Sequence, residues 1–220
     1  MEKNHLKLEK SPSEIDYIRQ SGFRPQIVGC IISKPLKKDI TKPAEIAFLQ
    51  NKILFVYKEK YKLWQLPQGG IDNNETITQA TLREMTEELG KNFTKSFQID
   101  RIIGEDRLIF PKQLQGSRKL QTDTGEEIFM IGKKYFFVVI SVSNTNLNIN
   151  ETEFDDYQWL NYKEALKLVN KIHQKGKRQI ILKGLKLLRQ QNLLYKTRNL
   201  DVQHSLFKKL LKVHCFSYKL

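Results

Sequence analysis

Residues 69–90 read GGIDNNETITQATLREMTEELG, and this stretch decides how the rest of the chain is read. Thr76 with Gln79 three residues on fits a capping box, and Gly90 supplies a stop, so a helix is expected over 76–89. At about 100° per residue, Glu84, Glu87 and Glu88 share one arc roughly 100° wide. Ile77, Leu82, Met85 and Leu89 fall on the adjoining side and are expected to pack on the core. Glu84 and Glu88 form a like-charge pair at i,i+4, which costs a helix about 0.2–0.5 kcal/mol. Arg83 can relieve Glu87, but no residue of the helix neutralises all three. A solvated acidic face would tolerate the repulsion. A hard divalent cation would remove it, because such ions take oxygen ligands. Ahead of the helix, Pro67-Gln68-Gly69-Gly70 is the strongest backbone punctuation in the chain, and its glycines allow close approach of the main chain to a ligand.

Outward from this stretch, strands are expected at 27–33, 45–49, 53–58, 98–104, 134–142 and 156–160, the second and third pairing across residues 50–52. Residues 35–43 are bounded by prolines and read as a loop, and 111–133 as a loop with some strand. Helical periodicity runs from Lys163 to Leu194 with a break expected near Lys175-Gly176. Residues 1–20 are polar and are expected to form a loose arm or a short helix. There is no internal repeat. Strands mixed with a few helices, without strict alternation, indicate an α+β chain.

Composition narrows the function. With 220 residues, 40% hydrophobic and 28% charged, the chain can bury a core without staples. Two cysteines, Cys30 and Cys215, exclude a disulfide framework and fit a reducing compartment. The longest apolar run, Tyr135 to Ile140, is far short of the roughly 20 residues of a membrane span. The first residues lack a secretory apolar core, so a cytoplasmic protein with no membrane partner is expected. The net charge is +14, and from Asn161 onward 15 lysines and arginines face only Glu164 and Asp201. Such a surface suits phosphate-rich partners, and it equally suits a lysine-rich solvated face.

The spacing G-x5-E-x7-R-E-x-x-E-E-x-G, from Gly69 through Glu75, Arg83, Glu84, Glu87 and Glu88 to Gly90, resembles the Nudix box with every fixed position filled. Lys91 departs from the aliphatic residue usual there, at a position that packs rather than reacts. The resemblance implies a Nudix fold, a mixed β-sheet sandwiched between helices (an α/β/α sandwich). It also implies roles. The Gly69 carbonyl with Glu84, Glu87 and Glu88 would hold Mg2+, with Mn2+ able to substitute. Gly70 would permit the tight approach, Glu75 and Arg83 would fasten the loop to the helix, and Gly90 would end it. Glu87 or Glu88 would take the proton from the attacking water.

The flanks are similar to a subgroup, the bacterial RNA 5′ pyrophosphohydrolases and their relatives the dinucleoside polyphosphate hydrolases. The matching residues are Trp64-Gln65-Leu66-Pro67-Gln68-Gly69-Gly70-Ile71, Gly22-Phe23-Arg24-Pro25, Pro111-Lys112, Gly132-Lys133-Lys134-Tyr135-Phe136, Glu153-Phe154-Asp155-x-Tyr157-x-Trp159 and Lys177-Arg178. The likeness implies a Nudix domain over 22–194, preceded by a polar arm at 1–21 and followed by a basic extension at 195–220. It makes Glu153 a fourth metal carboxylate, and Arg24, Lys58, Lys177 and Arg178 substrate-binding residues. Gly176 stands where the subgroup carries an aromatic residue. The implied activity is Mg2+-dependent removal of pyrophosphate from the 5′-triphosphate end of RNA, a step that opens mRNA to decay. The alternative is hydrolysis of dinucleoside polyphosphates such as diadenosine tetraphosphate, and a lesser one is a non-catalytic RNA-binding module. Trp64 and Trp159 are expected in the core, Cys30 buried and inert, and the four histidines show no metal-ligand spacing. The segment 204–213 is amphipathic and suits an RNA-contacting, partner-docking or capping helix.

Overall fold

The computed structural model describes residues 9–33 and 51–194. The expected loop at 35–43, the strand at 45–49, Cys215 and the amphipathic segment 204–213 lie outside the described residues. The first element is a helix, α1 (Pro12–Gln20), with Pro12 in its first turn and a reciprocal capping box between Ser11 and Glu14. Of the two expectations for the N-terminal segment, the helix is therefore what forms, and it belongs to the core. Ile15 is fully buried, and Ile18 packs beside it against the same core.

Two strands form the centre of the sheet. β1 (Phe23–Ser33) runs parallel to β8 (Gly132–Val142) in unbroken register from Phe23–Gly132 to Ser33–Val142. Both read as continuous buried runs because each is covered on both faces. The full order is β3 (Leu63–Gln65), β2 (Ile53–Lys58), β1, β8, β5 (Phe97–Ile109), with β4 (Gln68–Gly70) added along β1 and β9 (Asp156–Leu160) along β2. A small hairpin, β6 (Lys119–Gln121) and β7 (Glu127–Phe129), occupies the segment expected to be loop with some strand.

Alternate residues of β1 and β8 feed two cores. Ile27 and Ile31 with Phe136, Val138 and Ile140 pack beneath α1 and α2 (Ile77–Leu89). Val28, Cys30 and Ile32 with Tyr135, Phe137 and Val139 pack beneath α4 (Tyr162–Val169) and α5 (Lys175–Gln190). A four-residue helix, α3 (Lys91–Thr94), follows α2. Helices on both faces of a mixed sheet make the architecture the expected α/β/α sandwich. Trp64 and Trp159 pack against the two cores, Trp64 with its ring tilted 35° against Tyr57 at 5.0 Å and Trp159 donating to the Thr145 carbonyl at 2.9 Å. Among the described residues no helix is long and apolar enough to cross a membrane.

Two expectations are corrected. The break in the C-terminal helical segment falls at 170–174, and Lys175-Gly176 open α5 instead of interrupting it. Glycine costs little in a first helical turn, and a side chain at Gly176 would press on Leu108 at 3.0 Å. Leu82 does not pack on the core but is 52% exposed. The buried arc of α2 runs instead from Ala80 through Glu84, Glu88, Thr81 and Met85 to Leu89, about 180° at 100° per residue. The helix is thus turned so that two glutamates face inward.

Candidate active site

α2 begins as its sequence dictates. Thr76 Oγ1 accepts from the Gln79 amide, and the Gln79 side chain accepts from the Thr76 amide at 2.9 Å. It ends at Gly90, whose φ of +85° disfavours any side chain, and a Cβ there would also lie 2.8 Å from the Glu151 carbonyl oxygen. Met85 locks the helix to the sheet, its Sδ lying where a side chain on Gly29 of β1 would begin. These contacts fix the direction of the three glutamates.

Glu88 is partly buried. Its Oε2 accepts from the Gln68 amide of β4 at 2.9 Å, and its own carbonyl accepts from the Glu153 amide at 3.0 Å. Burial pushes the Glu88 carboxyl up to about 8, aided by Glu84 and Glu153 and opposed by the Gln68 amide and Lys58. Glu84 lies against Gly69, where an added Cβ would overlap its carboxyl group. Glu87 is exposed. Glu153, in the loop before β9, ion-pairs with Lys58 at 3.2 Å. The fold therefore brings Glu84, Glu88, Glu153 and the Gly69 backbone together, with Glu87 on the exposed side of the same turn.

Arg83 is the clamp of this region. Its Nε and Nη2 donate to the two oxygens of Glu75 at 2.7 and 2.8 Å, and Nη2 also donates to the Gly70 carbonyl at 3.1 Å. Nη1 lies 3.0 Å from Glu84 and 3.5 Å from Glu87. Glu75 is held below the ordinary carboxylate range by the Arg83 hydrogen bond, with burial opposing and the Asp72 amide assisting. The loop is tied from behind by Arg19, which donates to the Ile71 carbonyl at 2.9 Å while its other nitrogen meets Asp123 at 3.0 Å. Arg19 is buried and was not legible as part of the site.

The basic residues divide. Lys58 is engaged by Glu153 and lies over the Phe154 ring. Arg24 sits beside the site, its Nη2 3.1 Å from where a Gly70 side chain would begin. Lys177, at the start of α5, donates to Gln65 Oε1 at 2.9 Å. Arg178 follows it, partly buried. Sequence reasoning missed Lys133 as a site residue. It donates to Gln26 Oε1 at 2.9 Å, and its register partner across β1 and β8 is Arg24. Burial lowers Lys133 to about 8, reinforced by Lys177, Arg24 and Arg118. Lys177 is also lowered to about 8 by burial, against a raising effect of Glu88. Only the pairing of β1 with β8 reveals this cluster.

The donor set beside Gly69 is all oxygen, and the bare backbone there lets the Glu84 carboxyl group lie against the main chain, so the chemistry of the donors fits a hard divalent cation. Among the described residues no three His, Cys, Asp or Glu side chains are already gathered closely enough to hold a metal ion by themselves. A cation of the Mg2+ type keeps several waters and shares its shell with substrate phosphates. Cys30 takes no part, buried and with its thiol pushed up to about 12. His173 is exposed.

The NUDIX domain family model matches residues 40–183. An RNA pyrophosphohydrolase of Helicobacter pylori is 34% identical over 161 residues, covering 72% of this chain and 91% of the relative. One from Campylobacter jejuni is 29% identical over 155 residues, covering 69% and 85%. Among solved structures, the E. coli dihydroneopterin triphosphate pyrophosphohydrolase aligns with a TM-score of 0.45 at 16% identity, over 74% of this chain and 97% of that one. A C. elegans Ap4A hydrolase aligns at 0.43 and 16%, over 73% and 95%. Nudix enzymes generally use divalent metal cations. The box from Gly69 to Gly90, folded as a loop and helix clamped by Arg83, and the family match over most of the chain agree: this chain belongs to the Nudix hydrolase family.

Proposed function

We propose that the chain is a Mg2+-dependent RNA pyrophosphohydrolase, which removes pyrophosphate from the 5′-triphosphate end of RNA and leaves a 5′-monophosphate. The observation that carries this reading is the pairing of two opposite half-sites. Carboxylates of Glu84, Glu88 and Glu153 gather on one side, and Lys177, within electrostatic reach of Glu88, opens a cationic cluster on the other. A phosphate chain suits both sides. The relatives named RNA pyrophosphohydrolase support the RNA end as its carrier.

In this reading Glu84, Glu87, Glu88, Glu153 and the Gly69 carbonyl would hold the cation, and Mn2+ could take its place. When bound, the cation polarises the anhydride and lowers the pKa of water. Glu87 or Glu88 accepts the proton of the attacking water. Water oxygen bonds to phosphorus, the anhydride P–O bond breaks, and pyrophosphate leaves with the electron pair. Arg83 keeps Glu84 aimed while Glu75 keeps Arg83 aimed. Arg24, Lys177 and Arg178 receive phosphates or stack on the first base. Lys58 joins them when substrate competes with Glu153 for its ammonium. The domain so read spans 22–194, with the α1 helix of the preceding segment packed onto it through Ile15 and Arg19. The enzyme would act in the cytoplasm, where a 5′-monophosphate end opens mRNA to decay.

Dinucleoside polyphosphate hydrolysis is the second reading, favoured by the shared Trp64-Gln65-x-Pro67-Gln68-Gly69-Gly70 flank. The test is product analysis with a short 5′-triphosphorylated RNA. Monophosphorylated RNA and pyrophosphate should appear with the wild-type chain and Mg2+, and not with Glu88→Gln.

A further inference from the structure

Lys133 and Lys177 are both partly buried, and each ammonium has one hydrogen-bond partner among the described residues, a neutral amide oxygen. An ammonium carries three donors, so each is underused. Among the described residues neither lysine, nor Arg24, nor Arg118 makes an ion pair. Lys177, Arg24 and Arg118 are the charges that act on Lys133, and all three are positive.

This crowding is built by the fold. Arg24 and Lys133 are register partners at the paired starts of β1 and β8. Gln26, two residues along β1, lies on the same face as Arg24 and Lys133 and holds the Lys133 ammonium. Lys177 comes from the first turn of α5, which covers that face, and is held by Gln65 at the end of β3. Arg118 precedes β6, and its carbonyl accepts from the Met130 amide just before β8. Four cations from four segments thus act on one place: Lys133 and Lys177 are partly buried there, where unpaired charge is costly, and Arg24 and Arg118 flank them from exposed positions. Lys134, the next residue, shows the ordinary arrangement: it pairs with Glu105 at 2.7 Å. The contrast between adjacent lysines marks the cluster as a place for an external anion.

We propose that Lys133 and Arg118, acting with Lys177 and Arg24, form a pocket for a phosphate group of the substrate other than the one under attack. The proposal rests on the reading that the cleft takes a phosphorylated chain, and it adds to that reading two residues from the β6–β8 region. Two planar guanidiniums and two ammoniums supply the donors that a tetrahedral, multiply charged group needs. The phosphate has two possible sources, the end of the 5′-polyphosphate or the first internucleotide phosphodiester.

The experiment is calorimetric titration of the full chain, with no divalent cation added so that neither probe is hydrolysed. The probes are inorganic tripolyphosphate and a short 5′-hydroxyl RNA, and the proteins are wild type, Lys133→Gln and Lys134→Gln. Lys133→Gln should weaken one probe by about tenfold or more, the range of a lost charge-assisted hydrogen bond, while Lys134→Gln leaves both within about threefold. Loss with tripolyphosphate assigns the pocket to the polyphosphate end, and loss with the 5′-hydroxyl RNA assigns it to the phosphodiester. The ligand-free melting temperature of Lys133→Gln should equal or exceed that of wild type, because the change removes an unpaired cation. Unchanged affinity for both probes, or a fall no larger than in Lys134→Gln, overturns the proposal. So does a lowered melting temperature with binding intact. If tripolyphosphate binding depends on Lys133 while no RNA is hydrolysed, the pocket stands and the RNA-end reading falls.

Discussion

Arg83 grips both carboxylate oxygens of Glu75, Nε to Oε1 at 2.7 Å and Nη2 to Oε2 at 2.8 Å. The fork leaves the guanidinium no rotational freedom, and the same plane reaches the Gly70 carbonyl and Glu84. Loop and helix are therefore tied together by one side chain. Lysine keeps the charge of arginine but cannot make this bidentate contact. Arg83→Lys should lower stability by about 1–3 kcal/mol in urea unfolding and lower kcat by at least about tenfold. Equal kcat in the variant would show that the clamp does not aim Glu84. Glu75 is lowered by the pairing, so its stabilisation is present above the unfolded carboxylate pKa and is lost as pH falls through the lower folded one.

Glu88 gives the opposite dependence. Its folded pKa of about 8 lies above the unfolded 4.5, so the folded state holds the proton more tightly between those values. The metal-free chain gains that stability in full below about 4.5 and loses it as pH rises through about 8. Glu88→Gln keeps an acceptor for the Gln68 amide but does not titrate. Melting temperatures measured with chelator from pH 5 to 9 should fall for wild type relative to Glu88→Gln as pH rises. Parallel curves would contradict the burial of this carboxylate. Lys133, on which Glu88 does not act, cancels in the difference; Lys177, which Glu88 raises, does not cancel fully, so the comparison is read below about pH 7, before Lys177 titrates.

Gly69 tests the close approach. An added Cβ would overlap the Glu84 carboxyl group, while the backbone at Gly69 needs no positive φ. Gly69→Ala should therefore displace Glu84 and reduce kcat by about 10²-fold with only a small change in melting temperature. Activity near wild type would show that Glu84 has room to move without consequence.

Much of this was legible from local signals. The capping box of α2, its glycine stop, and the buried runs of β1 and β8 each follow from adjacent residues. The box spacing also carried Glu75 and Arg83 together across eight positions. Periodicity gives the angle between residues but not the rotation of the helix against the sheet. Leu82 thus looked apolar enough to be core, while the contacts of Met85 at Gly29 and Glu84 at Gly69 show how the helix is turned. Lys133 stayed hidden because its neighbours Arg24 and Gln26 are more than a hundred residues away and meet it only through the register of two parallel strands. Asn161 and Glu164 form a capping box that starts α4, but Gly176 drew attention as a breaker and misplaced the helix boundary.

The most direct measurement compares kcat/KM for a short 5′-triphosphorylated RNA and for diadenosine tetraphosphate, at equal concentration with Mg2+, and with Glu88→Gln as blank. Preference for the RNA by at least about tenfold, abolished in the variant and weakened by salt, is what the account predicts. Preference for the dinucleotide would contradict it, and hydrolysis of neither would contradict the assignment of Glu84, Glu87 and Glu88 to catalysis.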